Sequence, residues 1–524
     1  MSAADRIVAI DVGTPSVRAM LVGPDGTIHG LARIPIVPYV SPRPGWAEQD
    51  PDVHWSALGE ACRRVLAETA TPAAALAAVT LTTQRGTVVV TDVDGRPLRP
   101  AIIWLDDRRA TGLSPFGGVG GLTALGFRAL GLRDTIDGFA AACEANWLRT
   151  HEPETWRNVR HYLLLSGYLS HRLTGRFVDS AAAQVGYLPF DYRAMRWAAP
   201  GHWSWTVAPV DPAWLPVLIP PTGRLGEVSP SAAEATGLPA GLPVIAAAAD
   251  KACEVLGSGA IRPDVAGLSY GTAATVNVTS SRYVEAIRFI PPFPSALPGA
   301  WSIEAQVYRG YWMVEWFKRE FGAAELARAA ASGVAVESLL DDLVASVPPG
   351  SDGLVLQPYW SPGVRIPGPE ARGAVIGFGD GHTRAHLYRA ILEGLAYALR
   401  DGLEQIAGRT GVAPVALRIA GGGSQSPAAV RLTADVFGLP VTRIHTHEAA
   451  GLGAAIDAAA GLGWYPNVAS AVGAMVHDGE VRDPDLAVHA RYDDMYRSVY
   501  RPLYGRLRPL YRELRRIAGA RVEG

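Results

Sequence analysis

Lysine is nearly missing from this chain of 524 residues: of its 48 basic residues, only Lys251 and Lys318 are lysines. Arginine supplies the rest of the positive charge, and 50 acidic residues leave a formal net charge of −2. Without a basic excess there is no electrostatic footprint for nucleic acid or an anionic membrane, and neither is expected as a partner. Cysteine is equally scarce. Cys62, Cys143 and Cys253 are scattered and form no Cys-x-x-Cys, which argues against a disulfide framework or structural zinc and fits a reducing, cytoplasmic compartment. No uninterrupted apolar run reaches the length of about 18 residues that a membrane span needs. The N-terminus has neither the basic n-region nor the apolar h-region of a signal peptide.

Several chemical signatures are also missing. No Gly-x-x-x-x-Gly-Lys-Ser/Thr occurs, which excludes a P-loop. Gly377-Phe378-Gly379-Asp380-Gly381 has the wrong spacing for a dinucleotide fingerprint. No His-Glu-x-x-His is present, and the histidines lack metal-ligand spacing. An α/β-hydrolase nucleophile elbow is not expected either.

What is present centres on Ile7 to Leu21. Strand formers Ile7 to Ile10 end in Asp11, Val12-Gly13-Thr14-Pro15 reverses the chain, and Val17 to Val22 returns as a second strand. A third strand, Thr27 to Ile34, follows the Pro24-Asp25-Gly26 turn. A glycine turn with a hydroxyl beside it can aim donors at a phosphate, and an acid on the preceding strand end can hold Mg²⁺. The same device returns at Gly267 to Val278, around Gly271-Thr272. Its appearance in both halves of the chain is the strongest internal signal. A third glycine feature, Gly421-Gly422-Gly423 before Pro427, lies between a strand, Ala416 to Ala420, and a helix running to Phe437. Two phosphate hairpins and one glycine run that admits a flat ring suit a phosphotransferase.

Helical spacing also marks Asp52 to Ala70, Glu154 to Arg172, Lys251 to Gly259, His382 to Arg400, Ala449 to Ala460 and Tyr492 to Ile517. Pro243 to Ala249 reads as a strand ending in Asp250. Residues 111–135 carry no clear pattern, and Met195 to Pro221, dense in tryptophan and proline, fits an irregular packed cap. Asp250 is either a carboxylate base at a substrate hydroxyl or a helix N-cap. Arg85 either forks onto substrate hydroxyls or pairs with a surface acid, and Lys251 is either a substrate contact or a solvated first-turn lysine.

Taken together these motifs resemble the FGGY family of carbohydrate kinases, which includes xylulokinases, glycerol kinases and ribulokinases. The resemblance runs from Ile7 to about Gly463, and the aromatic C-terminal helix is similar to the tail of xylulokinase-like members. Asp11-x-Gly13-Thr14 with Arg18 matches the first phosphate motif and Leu268 to Val278 the second. Arg372-Gly373-Ala374 with Leu392-Glu393-Gly394 resembles the C-terminal signature, and Gly421 to Pro427 with Ala434-Asp435 the adenosine motif.

The family implies an α/β protein of two ribonuclease-H-like domains (the actin/Hsp70/sugar-kinase superfamily) around a central cleft, each with a mixed sheet of about five strands. Residues 1–257 would form the sugar-binding side, 258–465 the ATP-binding side, and 466–524 a C-terminal helical tail. The implied activity is ATP-dependent phosphorylation of a sugar or polyol hydroxyl, with ATP and Mg²⁺ as cofactors and a small-molecule partner. Oligomeric state is not legible in the sequence, although many members are homodimers.

Carried over by position, Asp250 is the general base and, with Asp11, positions Mg²⁺. Thr14, Ser16 and Arg18 face the γ-phosphate, Gly271 and Thr272 the β- and γ-phosphates, and Gly310 borders them. Gly422, Gly423 and Pro427 bound the adenine. Arg85, Gly86, Trp104, Asp250 and Lys251 line the sugar pocket. That pocket is where the chain departs from its relatives. Gly86 stands where glycerol kinases carry glutamate, the Met-His of xylulokinases is missing, Lys251 replaces a glutamine, and Pro15 replaces a common hydroxyl. A ketose, a polyol and a sugar acid all remain open as acceptors. The alternative reading is an ATP-binding regulatory protein on the same fold without phosphotransfer.

Overall fold

A computed structural model describes residues 4–37, 39–287, 290–361, 363 and 367–519. The first sheet opens as an antiparallel meander of β1 (Arg6–Val12), β2 (Ser16–Val22) and β3 (Ile28–Pro35). It continues with β4 (Leu76–Thr83) parallel to β1, β6 (Pro243–Ala246) parallel to β4, and β5 (Arg224–Glu227) antiparallel on the edge. The second sheet contains β7 (Val265–Tyr270), β8 (Ala274–Ser280), β9 (Phe293–Pro294), β10 (Trp301–Val307), β11 (Ala416–Ala420), β12 (Val441–Ile444) and β13 (Asp478–Arg482). Its order is β9-β10-β8-β7-β11-β12-β13.

Without their edge strands, the two sheets read β3-β2-β1-β4-β6 and β10-β8-β7-β11-β12. Each has an antiparallel meander joined to two parallel strands, so the repeated hairpin is part of a repeated fold. The sheets have six and seven strands rather than about five, because β5, β9 and β13 pair onto their open edges. β1 and β2 are covered on both faces, which is why their apolar runs do not alternate.

Helix α1 (Pro51–Glu68) starts where expected: the Asp50 side chain accepts from the Asp52 N–H, and Pro51 fills the first turn. The single helix expected over Glu154 to Arg172 is instead a helix Pro153–Asn158, a strand His161–Leu164 and a helix Leu165–Thr174. The cause is tertiary. His161 to Leu164 pair with Val88–Thr91 in a small separate sheet, and the edge they complete outweighs helical spacing. The unpatterned region contains helices Gly121–Ala129 and Arg133–Ala142, the latter packed with Phe116 and Val207 from the cap.

Two helices join the halves. α2 (Asp250–Gly257) follows β6, and α5 (Ala449–Gly461) comes after α3 (Arg384–Thr410) and α4 (Pro427–Phe437). α2 and α5 cross at glycines. A Cβ on Gly257 would stand 1.9 Å from the Ala449 carbonyl oxygen, and one on Gly453 1.9 Å from that of Cys253. α5 also covers the first sheet, where Leu452, Ile456 and Ala459 share a core with Ile7, Ala9 and Met20. Past α5, Tyr492, Tyr496 and Tyr500 are buried in the core of the second sheet.

Candidate active site

The first hairpin holds its acid firmly. Asp11 faces Arg18 in the β1–β2 register, and the Arg18 guanidinium donates to its carboxylate at 2.8 Å. Arg18 also reaches Glu448, just before α5, at 3.4 Å. Burial raises the Asp11 pKa to about 6; Arg18 opposes that shift, and the negative charges of Asp250 and Glu448 add to it. At the turn, the Thr14 hydroxyl donates to Gln84 at 2.5 Å and accepts from the Trp104 indole at 3.0 Å. Trp104 therefore stands on the phosphate hairpin, 3.6 Å from where a Cβ of Gly86 would lie. Gly86 has φ +63, which glycine alone adopts at no steric cost. Ser16 is buried, and its hydroxyl accepts from Arg33 on β3 at 3.2 Å.

Asp250 is the first residue of α2, with Ala249 at the cap position, so it is not the helix N-cap. Burial raises its pKa against the pull of Lys251 and Arg85. It accepts from the Lys251 backbone N–H at 2.7 Å, and Arg85 Nε stands 4.0 Å away. Neither reading of Arg85 and Lys251 anticipates their surroundings. Arg85 forks onto Glu304 of β10, at 3.1 and 3.2 Å, and the Glu304 side chain is only 4% exposed. The pair is buried and joins the two halves, with the Phe293 ring 5.1 Å from the guanidinium. Lys251 is not solvated: its ammonium donates to Glu254 at 2.7 Å and to Ser269 of β7 at 2.5 Å. It lies under the second hairpin, 3.7 Å from a Cβ built on Gly271.

Gly267-Leu268-Ser269-Tyr270-Gly271 carries the Gly-x-Ser-x-Gly spacing of a nucleophile elbow. Ser269 lies within β7 rather than on a strand-to-helix turn, and its hydroxyl donates to Glu254 at 2.8 Å. It has no elbow geometry. Beyond it, Gly271 N–H bonds the Ala273 carbonyl at 3.1 Å, leaving Thr272 exposed at the tip. Gly310 packs against this turn so closely that a Cβ would be 2.2 Å from Ala274 N.

Two family models match the chain: the N-terminal domain of the FGGY family of carbohydrate kinases over residues 6–257, and its C-terminal domain over 266–462. The chain belongs to the FGGY family. Its relatives include the uncharacterized sugar kinase YgcE of Escherichia coli, 30% identical over 95% of this chain and 93% of that one. A xylulose kinase of Staphylococcus epidermidis is 28% identical over 97% and 98% of the two chains. The crystal structure of a xylulose kinase from Rhodospirillum rubrum superposes with a TM-score of 0.76 at 29% identity, covering 97% of this chain and all of that one. The two sheets are thus the ribonuclease-H-like domains of a carbohydrate kinase, an enzyme that phosphorylates a sugar or polyol with ATP as donor.

In this FGGY kinase the glycine run before α4 is shaped by its neighbours. Gly421 has φ +85 and abuts the Tyr270 backbone, whereas Gly422 faces open space with nothing within 4 Å of a built Cβ. Gly423 lies on the Tyr311 ring, which stacks on Tyr270 at 4.5 Å. Pro427 opens α4, and the Ser426 hydroxyl donates to Asp341 at 2.6 Å. Sequence reasoning did not find Glu304, Glu448, Glu254 or Gln84. Only Glu304 left a local trace, as an acid inside the buried strand Trp301–Val307. No helix among the described residues is long and apolar enough to cross a membrane, and all three cysteines are buried and free.

Proposed function

We propose that Asp250 is the general base for in-line transfer of the ATP γ-phosphoryl group to a hydroxyl of a small sugar or polyol. One observation carries this reading. Asp11, Glu254 and Glu304 are each held by a cation at about 3 Å or closer, whereas the nearest cation to Asp250 is Arg85 at 4.0 Å. A partly buried carboxylate with a raised pKa and no ion pair shorter than 4.0 Å can accept the acceptor hydroxyl's proton as that oxygen attacks phosphorus. Thr14 and Thr272, at the tips of the two hairpins, would meet the phosphates from opposite sides, with Gly271 and Gly310 shaping the second tip. Arg18 would neutralise charge as the phosphoryl group moves, while Ser16, tied to Arg33, would act through the shape of the hairpin. Gly422, Gly423 and Pro427 would bound the adenine, and Trp104 and Gly86 would border the acceptor.

Mg²⁺ fits this site. Asp11, buried, and Asp250, partly buried, supply the hard oxygen ligands that Mg²⁺ needs, and the Asp250 charge raises the proton affinity of Asp11. No cluster of three or more His, Cys, Asp or Glu among the described residues could hold a metal by itself, and an ion delivered on ATP needs only one or two protein carboxylates. When bound, Mg²⁺ would offset charge on the nucleotide phosphates. The reading divides the chain into a sugar side (1–257) and an ATP side (258–465), with 466–524 adding β13 and buried tyrosines to the second sheet rather than standing as a separate helical tail. It would act in the cytoplasm, with a homodimer as the assembly to test. Sedimentation velocity checks the assembly.

The kinase test is ADP release with Mg-ATP across polyols, ketoses and sugar acids of three to seven carbons. Asp250→Asn should lower kcat by roughly 10²–10⁴-fold while nucleotide affinity holds. Near-full turnover by that variant would remove Asp250 from the role of base.

A further inference from the structure

The acceptor pocket carries information on substrate charge. Arg85, Lys251, Phe293, Ser302 and Glu304 are among the residues lining a small cavity of about 10 Å³ at the start of α2, room for about one water. Its two cations are both matched. Arg85 is forked by Glu304, and Lys251 is held by Glu254 and Ser269. Asp250, 4.0 Å from Arg85, adds a second acid beside that guanidinium. Gly86, beside Arg85, contributes no side chain, so the acid at this point comes from the opposite half of the molecule, across the cleft.

We infer that Glu304 is a specificity residue that restricts the acceptor to uncharged polyols and ketoses and rejects sugar acids. The inference rests on the kinase reading and narrows it. An acceptor entering here must separate Arg85 from Glu304 and replace the two hydrogen bonds between them. A hydroxyl can do so from either side, accepting from the guanidinium while donating to the carboxylate. A substrate carboxylate can only accept. It would satisfy Arg85 and leave Glu304, whose side chain is only 4% exposed, against a like charge without its partner, which is strongly unfavourable. Because Arg85 follows β4 of the first sheet and Glu304 lies in β10 of the second, the same hydroxyls would tie the two halves together as the cleft closes.

The test uses acceptors matched in carbon number, each neutral polyol or ketose paired with its aldonate. It measures kcat/KM by ADP release and Kd by calorimetry, in the wild type, Glu304→Gln and Glu304→Asp. The wild type should favour the neutral member by about 100-fold or more, as expected where like charges are juxtaposed in a buried site. Glu304→Gln should lower that preference by at least about tenfold, the equivalent of about 1.4 kcal/mol, mainly through KM for the acid. Glu304→Asp, which keeps the charge, should retain it. Each preference is a ratio within one variant, so a partly misfolded preparation does not alter it.

A wild type that prefers an aldonate overturns this inference and leaves the kinase reading standing. An unchanged ratio in Glu304→Gln does the same. Binding of neither class, with Mg-ATP still bound, overturns both.

Discussion

Single residues here are defined by partners far away in the chain. Lys251 has the sequence context of a solvated lysine in a first helical turn, yet its ammonium is shared between Glu254 and Ser269, and its side chain is only 20% exposed. Replacing it strands the Glu254 carboxylate, itself 12% exposed, with a single hydroxyl for company. Lys251→Met should therefore destabilise the protein by about 3 kcal/mol, the lower end for breaking a buried pair, and Lys251→Met/Glu254→Gln should recover part of that loss. Urea unfolding of the two variants measures it; a single mutant as stable as wild type would return Lys251 to the solvated reading.

Elements respond to substitution according to the space around them, and two glycines show this with opposite sign. Gly408 lies exposed near the end of α3 with nothing within 4 Å of a built Cβ, so Gly408→Ala should gain up to about 1 kcal/mol from helix propensity. Gly453 lies in α5 against the Cys253 carbonyl, so Gly453→Ala must push the crossing helices apart and should lose about 1–3 kcal/mol or more. Thermal melting of both variants in one buffer gives the comparison.

Legibility in the sequence follows the same division between local and distant. The Gly-Thr hairpins could be read because apolar strands, an acid and a turn fall within about a dozen residues, and strand and turn rules act at that range. Glu154 to Arg172 misled because its apolar residues suit a helix locally, while the edge that makes His161–Leu164 a strand lies at Val88–Thr91. In the site, the glycines and Asp11 came from motif. The partners that set the chemistry did not, because Arg85 and Glu304 are 219 positions apart and only the fold brings them together.

For the molecule as a whole, the decisive region is the junction where α2, α5 and the first sheet meet. Asp457 of α5 is fully buried there, and neither of its carboxyl oxygens has a hydrogen-bond partner among the described residues. Burial alone raises its pKa well above the ordinary value. The stability that the neutral acid provides is complete below the unfolded pKa of about 3.9 and is lost progressively as pH rises toward the folded value. Asp457→Asn removes this dependence. It should change Tm little at pH 5 and raise it clearly at pH 8, and equal shifts at both pH values would count against the account.

The same junction governs the order in which the protein can be made. The inner face of the first sheet is covered by α5, whose first residue is translated about 190 positions after the last residue of α2. At roughly 5–20 residues per second, a ribosome leaves that face open to water for about 10–40 s after its own strands have emerged. Ile7, Ala9 and Met20 are then an exposed apolar surface in the nascent chain, and this half of the enzyme completes its core only when synthesis of the other half is nearly done.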